Sequence, residues 1–309
     1  MQYEWIKNIT NISSDYTSIH FHDKFNQKIE PNTLPENLTT LIFGVRFNQK
    51  IDPNTLPNNL IALTFGDDFN QGIDPNTLPE NLTTLTFGWG FNQKIEPNTL
   101  PENLTTLSFE CDFNQKIEPN TLPKKLTTLI FGWEFDQVID PNILPENLTT
   151  LIFGFCFNQK IGPNTLPEKL STLLFGNDFN QGIDPNTLPK NLTTLTFGIC
   201  FNHNIESILN KIKYINFDCR AYIDHYKLNI NKINNIPKYF NVKIYANNNI
   251  FDNLEPKWPI HVVDYNESKW SFDIYEIIDK YIDPFYGDIT VLINKETYEP
   301  YSNAKSARN

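Results

Sequence analysis

Five histidines and four cysteines are thin material for chemistry in a chain of 309 residues. The histidines are His20, His22, His203, His225 and His261, and one pair, His20 and His22, alternates as strand residues do. Two such side chains can share a metal, but no third ligand is fixed beside them, so no metal centre is expected. The cysteines are Cys111, Cys156, Cys200 and Cys219. The first three lie far apart in the chain, and free thiols in a reducing compartment are the simpler reading. No run of about 18 apolar residues occurs, so no membrane-spanning helix is expected. The opening "MQYEWIKNITNISSDYT" lacks a basic segment followed by an apolar one, so no secretion signal is expected either. Positive charge is short: the formal net charge is −11 and no arginine-rich run interrupts the acidity. Nucleic acid is therefore not an expected partner, because phosphates need Lys and Arg to displace their counterions. Glycine-rich phosphate loops, nucleophile motifs and paired-carboxylate motifs are missing too. The chain reads as a non-enzyme with no cofactor, located in the cytoplasm.

What the chain has instead is repetition. "FNQKIEPNTLPENLTTLIFG" (Phe25 to Gly44) returns in near copies, and the phenylalanines at 25, 47, 69, 91, 113, 135, 157, 179 and 201 keep a spacing of 22. A fixed period in the 20s signals a solenoid, and 22 residues are too few for a packed pair of helices. One strand plus a return segment per coil fits. In "LTTLTF" (Leu82 to Phe87) the apolar positions follow the L-x-x-L-x-L core of a leucine-rich repeat. Leu85 and Phe87 face one side, and Thr84 and Thr86 the other. The return segment carries two prolines, such as Pro97 and Pro101. A helix interior does not tolerate them, so an extended convex side with at most a short 3₁₀ turn is expected. Phe91, Ile95 and Leu100 would fill the core from there. The expected strands centre on Leu41, Leu63, Leu85, Leu107, Leu129, Leu151, Leu173 and Leu195.

Three columns of polar residues recur. Asn26, Asn48, Asn70, Asn92, Asn114, Asn158, Asn180 and Asn202 sit inside the apolar frame, with Asp136 as the exception. Buried amides need partners, so a structural asparagine ladder bonded to loop backbone and to the next coil is expected, a ligand-binding ladder being the lesser alternative. Acids recur before the first proline, as Glu30, Asp52, Asp74, Glu96, Glu118, Asp140 and Asp184. Stacked about 5 Å apart they could form a calcium ladder. Lysines two positions earlier, such as Lys28 and Lys50, instead point to charge compensation in a solvated turn. Asn37, Asn81, Asn103, Asn147 and Asn191 form N-x-T sequons that read as by-products of the repeat.

Positions that differ between copies carry the information about specificity. The outward strand position is Ile130, Ile152 and Leu174 in three consecutive coils, and Trp133 and Phe155 fall at the nearby rim. Contiguous apolar patches mark interfaces, so these five form the expected partner site on the concave face, with Trp133 as anchor.

The motif Phe-Asn-x-x-Ile followed by Pro and "TLPxxLxxLxFG", spelled here by Phe25, Asn26, Ile29 and the prolines after them, resembles the FNIP repeat family, a leucine-rich-repeat variant. The resemblance covers about Phe25 to His203. It implies a family found mainly in amoebae and their large DNA viruses, and so a host-cell location if the chain is viral. Many members resemble F-box proteins, whose adaptor segment precedes the repeats; about 20 residues precede the first repeat here, and no F-box is evident.

The expected organisation is an N-terminal cap and half-repeat (1–24), the repeats (25–203), two degenerate coils (204–246) and a small α+β cap (247–309). A half-repeat strand is expected near Thr17 to Phe21. "IKYINF" and "IPKYFNVKIYA" keep the strand pattern. "WSFDIYEIIDKYI" (Trp270 to Ile282) fits an amphipathic helix, and "DITVLINKETYEP" a strand, a turn and a second strand. The expectation is thus a β-rich, leucine-rich-repeat-like solenoid, monomeric, that binds another protein. The alternative is a substrate-recognition subunit of a ubiquitin ligase acting through a separate adaptor.

Overall fold

The computed structural model describes residues 12–198, 200, 201, 203 and 208, together with four further strands. The chain divides into two compact units, 1–170 and 171–309. In the first unit the strands are β1 (Trp5–Ile6), β2 (Ser18–Phe21), β3 (Thr40–Ile42), β4 (Ala62–Thr64), β5 (Thr84–Phe87), β6 (Thr106–Phe109), β7 (Thr128–Ile130) and β8 (Thr150–Ile152). Each pairs in parallel with the next. From β3 onward the register is the repeat itself: Leu41 lies opposite Leu63, Leu63 opposite Leu85 and Leu85 opposite Leu107. In the second unit β9 (Thr172–Leu174), β10 (Thr194–Phe197), β11 (Tyr214–Cys219) and β12 (Tyr239–Ile244) are parallel, and β13 (Ile289–Asn294) runs antiparallel to β12. The sequence Trp270 to Ile282, expected as a helix, and the residues following β13 lie outside the described residues.

The strands form for the reason their alternation suggests. Leu41, Leu63, Leu85, Leu107, Leu129 and Leu151 are 0% exposed, while the threonines flanking them are half-buried on the open face. Behind the sheet, two columns of phenylalanine fill the core. Phe43, Phe65 and Phe87 repeat every 5.5 Å between ring centroids, and Phe47, Phe69 and Phe91 every 6.1 Å. Within a coil the two rings stack 3.9 Å apart, as in Phe43 with Phe47 and Phe65 with Phe69. Identical rings in identical register let every coil reuse one packing solution.

The return segment is extended and turn-rich, with no α-helix among the described residues. Its first bend is a type II turn. Thr33 donates from its backbone N–H to Glu30 O at 3.3 Å, Pro31 takes the second position, and Asn32 takes the third with φ of 62°. Asn54, Asn76, Asn98, Asn120, Asn142 and Asn164 repeat this left-handed conformation. Asparagine is among the few non-glycine residues that adopt it readily. The second unit replaces the turn by a 3₁₀ turn, Pro185–Thr187, where Asp184 Oδ1 accepts from the Asn186 N–H at 2.8 Å.

One threonine per coil is drawn inside. Thr55, Thr77, Thr99, Thr121 and Thr165 are 2–3% exposed, and their hydroxyls have no hydrogen-bond partner among the protein atoms. Ile143 takes this position in the intervening coil and is also buried.

Candidate functional site

In most repeats the strand runs into Phe-Gly and is followed by a two-residue rim turn. The glycine is required by close approach: a Cβ on Gly66 would lie 1.9 Å from Gly44 O, and one on Gly154 would lie 1.7 Å from Gly132 O. In most coils the phenylalanine after the turn closes it, as Phe47 does by donating to Gly44 O at 3.2 Å. Glu110 replaces the glycine in the coil of β6. There the rim is an open bend, and Phe113 makes no such bond among the described residues.

The rim turns are tied from coil to coil. The second rim residue donates its N–H to the carbonyl of the first rim residue one coil earlier: Gly90 to Asp67 at 2.7 Å, Asp112 to Trp89 at 2.8 Å, Glu134 to Cys111 at 2.9 Å and Cys156 to Trp133 at 2.9 Å. The side chains therefore stand on a fixed backbone as one column: Val45, Asp67, Trp89, Cys111, Trp133, Phe155. Trp133 is 52% exposed and stacks on Phe155 with centroids 4.6 Å apart and planes within 6°. On the open face beside them, Ile130 of β7 lies directly opposite Ile152 of β8, both half-buried. Four of the five residues singled out from the sequence thus meet in the first unit. Leu174 holds the matching position of β9, in the second unit, so the patch described is the four-residue one.

Trp89, 60% exposed in the same column, was not singled out by sequence. Its rim pair Trp89-Gly90 was readable, but its open-face neighbours Thr86 and Ser108 are polar, so a search for apolar clusters passes it by. The open face and rim of the preceding coils form a groove of about 210 Å³ lined by Gly44, Gly66 and Gly88 together with Asp23, Asp67 and Glu110.

The rim thiols Cys111 and Cys200 are not poised as nucleophiles. Partial burial first, then the hydrogen bond and charge of Asp112 and the charge of Glu134, push the Cys111 thiol up to about 11. Cys200 is raised by burial and by Asp178, whose carboxylate lies 3.9 Å from its Sγ. Cys111 and Cys200 are free thiols.

The polar columns resolve into ladders. Asn26 Oδ1 accepts from the Asn48 N–H at 2.9 Å and from Gln49 Nε2 at 3.0 Å, and the pattern repeats through Asn48, Asn70, Asn92 and Asn114. Asp136 keeps it, accepting from Asn158 N–H at 2.8 Å and Gln159 Nε2 at 3.0 Å. The asparagines are half-buried or exposed, and not enclosed in the apolar frame as expected, because they stand on the outer side of the phenylalanine columns beside the Gln layer. Asn180 belongs to the second unit, and Asn202 lies outside the described residues. Sequon asparagines form a second ladder that the sequence reading missed: Asn81, Asn103 and Asn147 donate from Nδ2 to the carbonyls of Asn58, Glu80 and Lys124, each at 2.8 Å.

At the return edge lysines join neighbouring coils. Lys28 reaches Asp52 at 2.9 Å, Lys50 reaches Asp74 at 2.7 Å and Lys116 reaches Asp140 at 3.0 Å, and these carboxylates raise the lysine pKa values. Exposed pairs of this kind add little stability. His22 Nδ1 accepts from the Lys24 N–H at 3.2 Å, and no group of three or more metal-binding side chains occurs among the described residues. No helix among the described residues is long and apolar enough to cross a membrane.

The FNIP repeat family model matches residues 11–45, 25–68, 47–88, 69–112, 113–156 and 157–200. The chain belongs to the FNIP repeat family. A solved structure described as "CroV588 a novel circular LRR protein structure" is similar to this FNIP-repeat chain at 47% identity and a TM-score of 0.66, over 69% of this chain and 32% of that one. The chain thus spans about a third of the length of that protein. No curated protein matches the chain. FNIP-repeat solenoids of this leucine-rich-repeat kind are scaffold folds, typical of protein interaction.

Proposed function

We propose that this FNIP-repeat chain is an intracellular, non-enzymatic scaffold that captures another protein on the open face and rim of its sheet. The observation that carries the reading is the Trp133–Phe155 stack, half exposed and seated on a hydrogen-bonded rim beside the register-paired Ile130 and Ile152. A preformed aromatic anchor needs little ordering on binding, and tryptophan is prominent among interface hot spots.

The test is the double variant Ile152→Glu, Trp133→Ser in an affinity capture read by mass spectrometry. Neither side chain is part of the buried core, so the melting curve should stay near wild type, while burial of the anchor is worth about 2 kcal/mol or more. Loss of a stoichiometric partner by more than about tenfold is expected. Wild-type capture by the folded double variant would refute the assignment of this face.

A further inference from the structure

The same face specifies what kind of segment it takes. We propose that the partner presents a basic, extended segment that runs along the rim, with arginine side chains lying on Trp89 and Trp133 and reaching the carboxylates beside them. This inference rests on the reading of the open face and rim as a binding surface, and gives it a chemical occupant.

Charge selects the occupant. The rim around the two tryptophans carries Glu110, Asp112 and Glu134, and no lysine or arginine pairs with any of them among the described residues. At the return edge, by contrast, Glu30, Asp52, Asp74, Glu96 and Asp140 are matched by lysines of the same or the preceding coil. An uncompensated acidic rim on a chain of net charge −11 repels nucleic acid, anionic membrane and a second copy of this chain alike. It attracts cations. Guanidinium groups suit it best, since they stack on indole faces and pair with carboxylates in a bidentate fork.

Glu110 strengthens the argument. Its neighbours at the same position are glycines because a Cβ there meets the preceding coil's backbone at 1.7–2.6 Å. Accepting a glutamate loses the turn-closing hydrogen bond from Phe113, and the Glu110 carbonyl instead accepts from the Trp133 N–H of the next coil at 3.0 Å. Glu110 is also one of the residues that line the groove along Gly44, Gly66 and Gly88. Glu110 thus adds an acid to the rim and ties down the backbone of Trp133.

Spacing selects the conformation. Trp89 and Trp133 are two coils apart, about 10 Å at the usual strand separation. Three residues of a polyproline II segment advance about 9.3 Å, so arginines at every third residue match the tryptophan spacing. A β-strand puts same-face side chains about 6.6 Å apart and misses it.

The experiment titrates the full-length chain into a fluorescein-labelled peptide Arg-Pro-Pro-Arg-Pro-Pro-Arg and reads anisotropy at low and at physiological ionic strength. The controls are an isomer with its three arginines adjacent and an analogue with glutamate in place of arginine. The spaced peptide should bind about fivefold more tightly than the clustered isomer, the glutamate analogue should not bind, and Trp89→Ala and Trp133→Ala should each weaken binding about fivefold. Both tryptophans are exposed, so unchanged melting curves will show that these variants are folded. Equal affinity for the two arginine isomers, or tryptophan variants that bind like wild type, would overturn the proposal, as would no binding at all. If the peptide fails while Ile152→Glu, Trp133→Ser still abolishes partner capture, the basic occupant is wrong and the reading of the face survives.

Discussion

Replacing Thr99 by valine should make the protein more stable. Thr99 is 3% exposed, and its hydroxyl has no hydrogen-bond partner among the protein atoms. The hydroxyls of Thr77 and Thr121, its counterparts one coil away on either side, are unpartnered as well. An unmatched buried hydroxyl costs about 1–3 kcal/mol on mutational scales. Valine keeps the β-branched shape and puts a methyl where the hydroxyl was, removing the unmet donor and burying a further carbon worth about 0.8 kcal/mol. The expected gain is about 1–3 kcal/mol. For a folded array of this size each kcal/mol raises Tm by about 2–4 °C. The coil that begins at Phe135 already makes the exchange, with Ile143 buried at the same position. The reverse variant, Ile143→Thr, should therefore lose a comparable amount. Urea unfolding followed by circular dichroism measures both, with the midpoint moving and the slope unchanged. A lowered midpoint for Thr99→Val would refute the reasoning, because it would mean the hydroxyl is hydrogen-bonded in solution and is part of what holds the coil.

Leu107, 0% exposed at the centre of β6, should cost about 2–5 kcal/mol as Leu107→Ala, read as a shift in urea midpoint. Asn114→Leu removes the acceptor of the Asp136 N–H and of Gln137 Nε2 and should destabilise by about 1–3 kcal/mol, while Asn114→Asp should stay close to wild type because Asp136 fills the same role one coil on; an equal or higher melting temperature for Asn114→Leu would show that the ladder is not structural. With its thiol at about 11 against an ordinary 9.0, Cys111 should have a thiolate fraction about a hundredfold below that of an unperturbed cysteine near pH 8, and iodoacetamide labelling followed by mass spectrometry should find it correspondingly slow. The raised value also means that the unfolded chain loses this proton first, so the stability it contributes is present below about pH 9 and falls away as the pH rises toward about 11; thermal melts across that window should show the decline weakened in Cys111→Ser.

The period, the inward leucines and the extended return were legible because each rests on a local rule. Leu85 and Phe87 alternate as strand residues must, and Pro97 and Pro101 forbid a helix. The Trp133–Phe155 contact was legible for a related reason: in a solenoid, residues 22 apart become neighbours. What escaped the sequence depended on knowing which way a polar side chain turns. Thr99 reads as a loop threonine, yet the type II turn before it rolls it inward. That turn had its own signal in the Pro-Asn pair, since asparagine after proline suits the left-handed third position. The Asn92 column was placed inside the apolar frame by sequence adjacency to Phe91, whereas it lies beside the Gln layer. Antiparallel β13 has no repeat signature, and only its strand character was readable from "DITVLIN".

Between Phe43 and Phe91 the two phenylalanine columns have unequal pitch, and that makes each of these coils a wedge. Rings on the strand side repeat every 5.5 Å and rings on the return side every 6.1 Å, with 3.9 Å between the columns. Taken as radial, that difference turns each coil by about 9° relative to its neighbour. Ring thickness on the return side then acts as a shim. Exchanging Phe47, Phe69 and Phe91 together for leucine should let the outer pitch shrink and the array straighten, and small-angle scattering would record the change as a longer maximum dimension for the same number of coils.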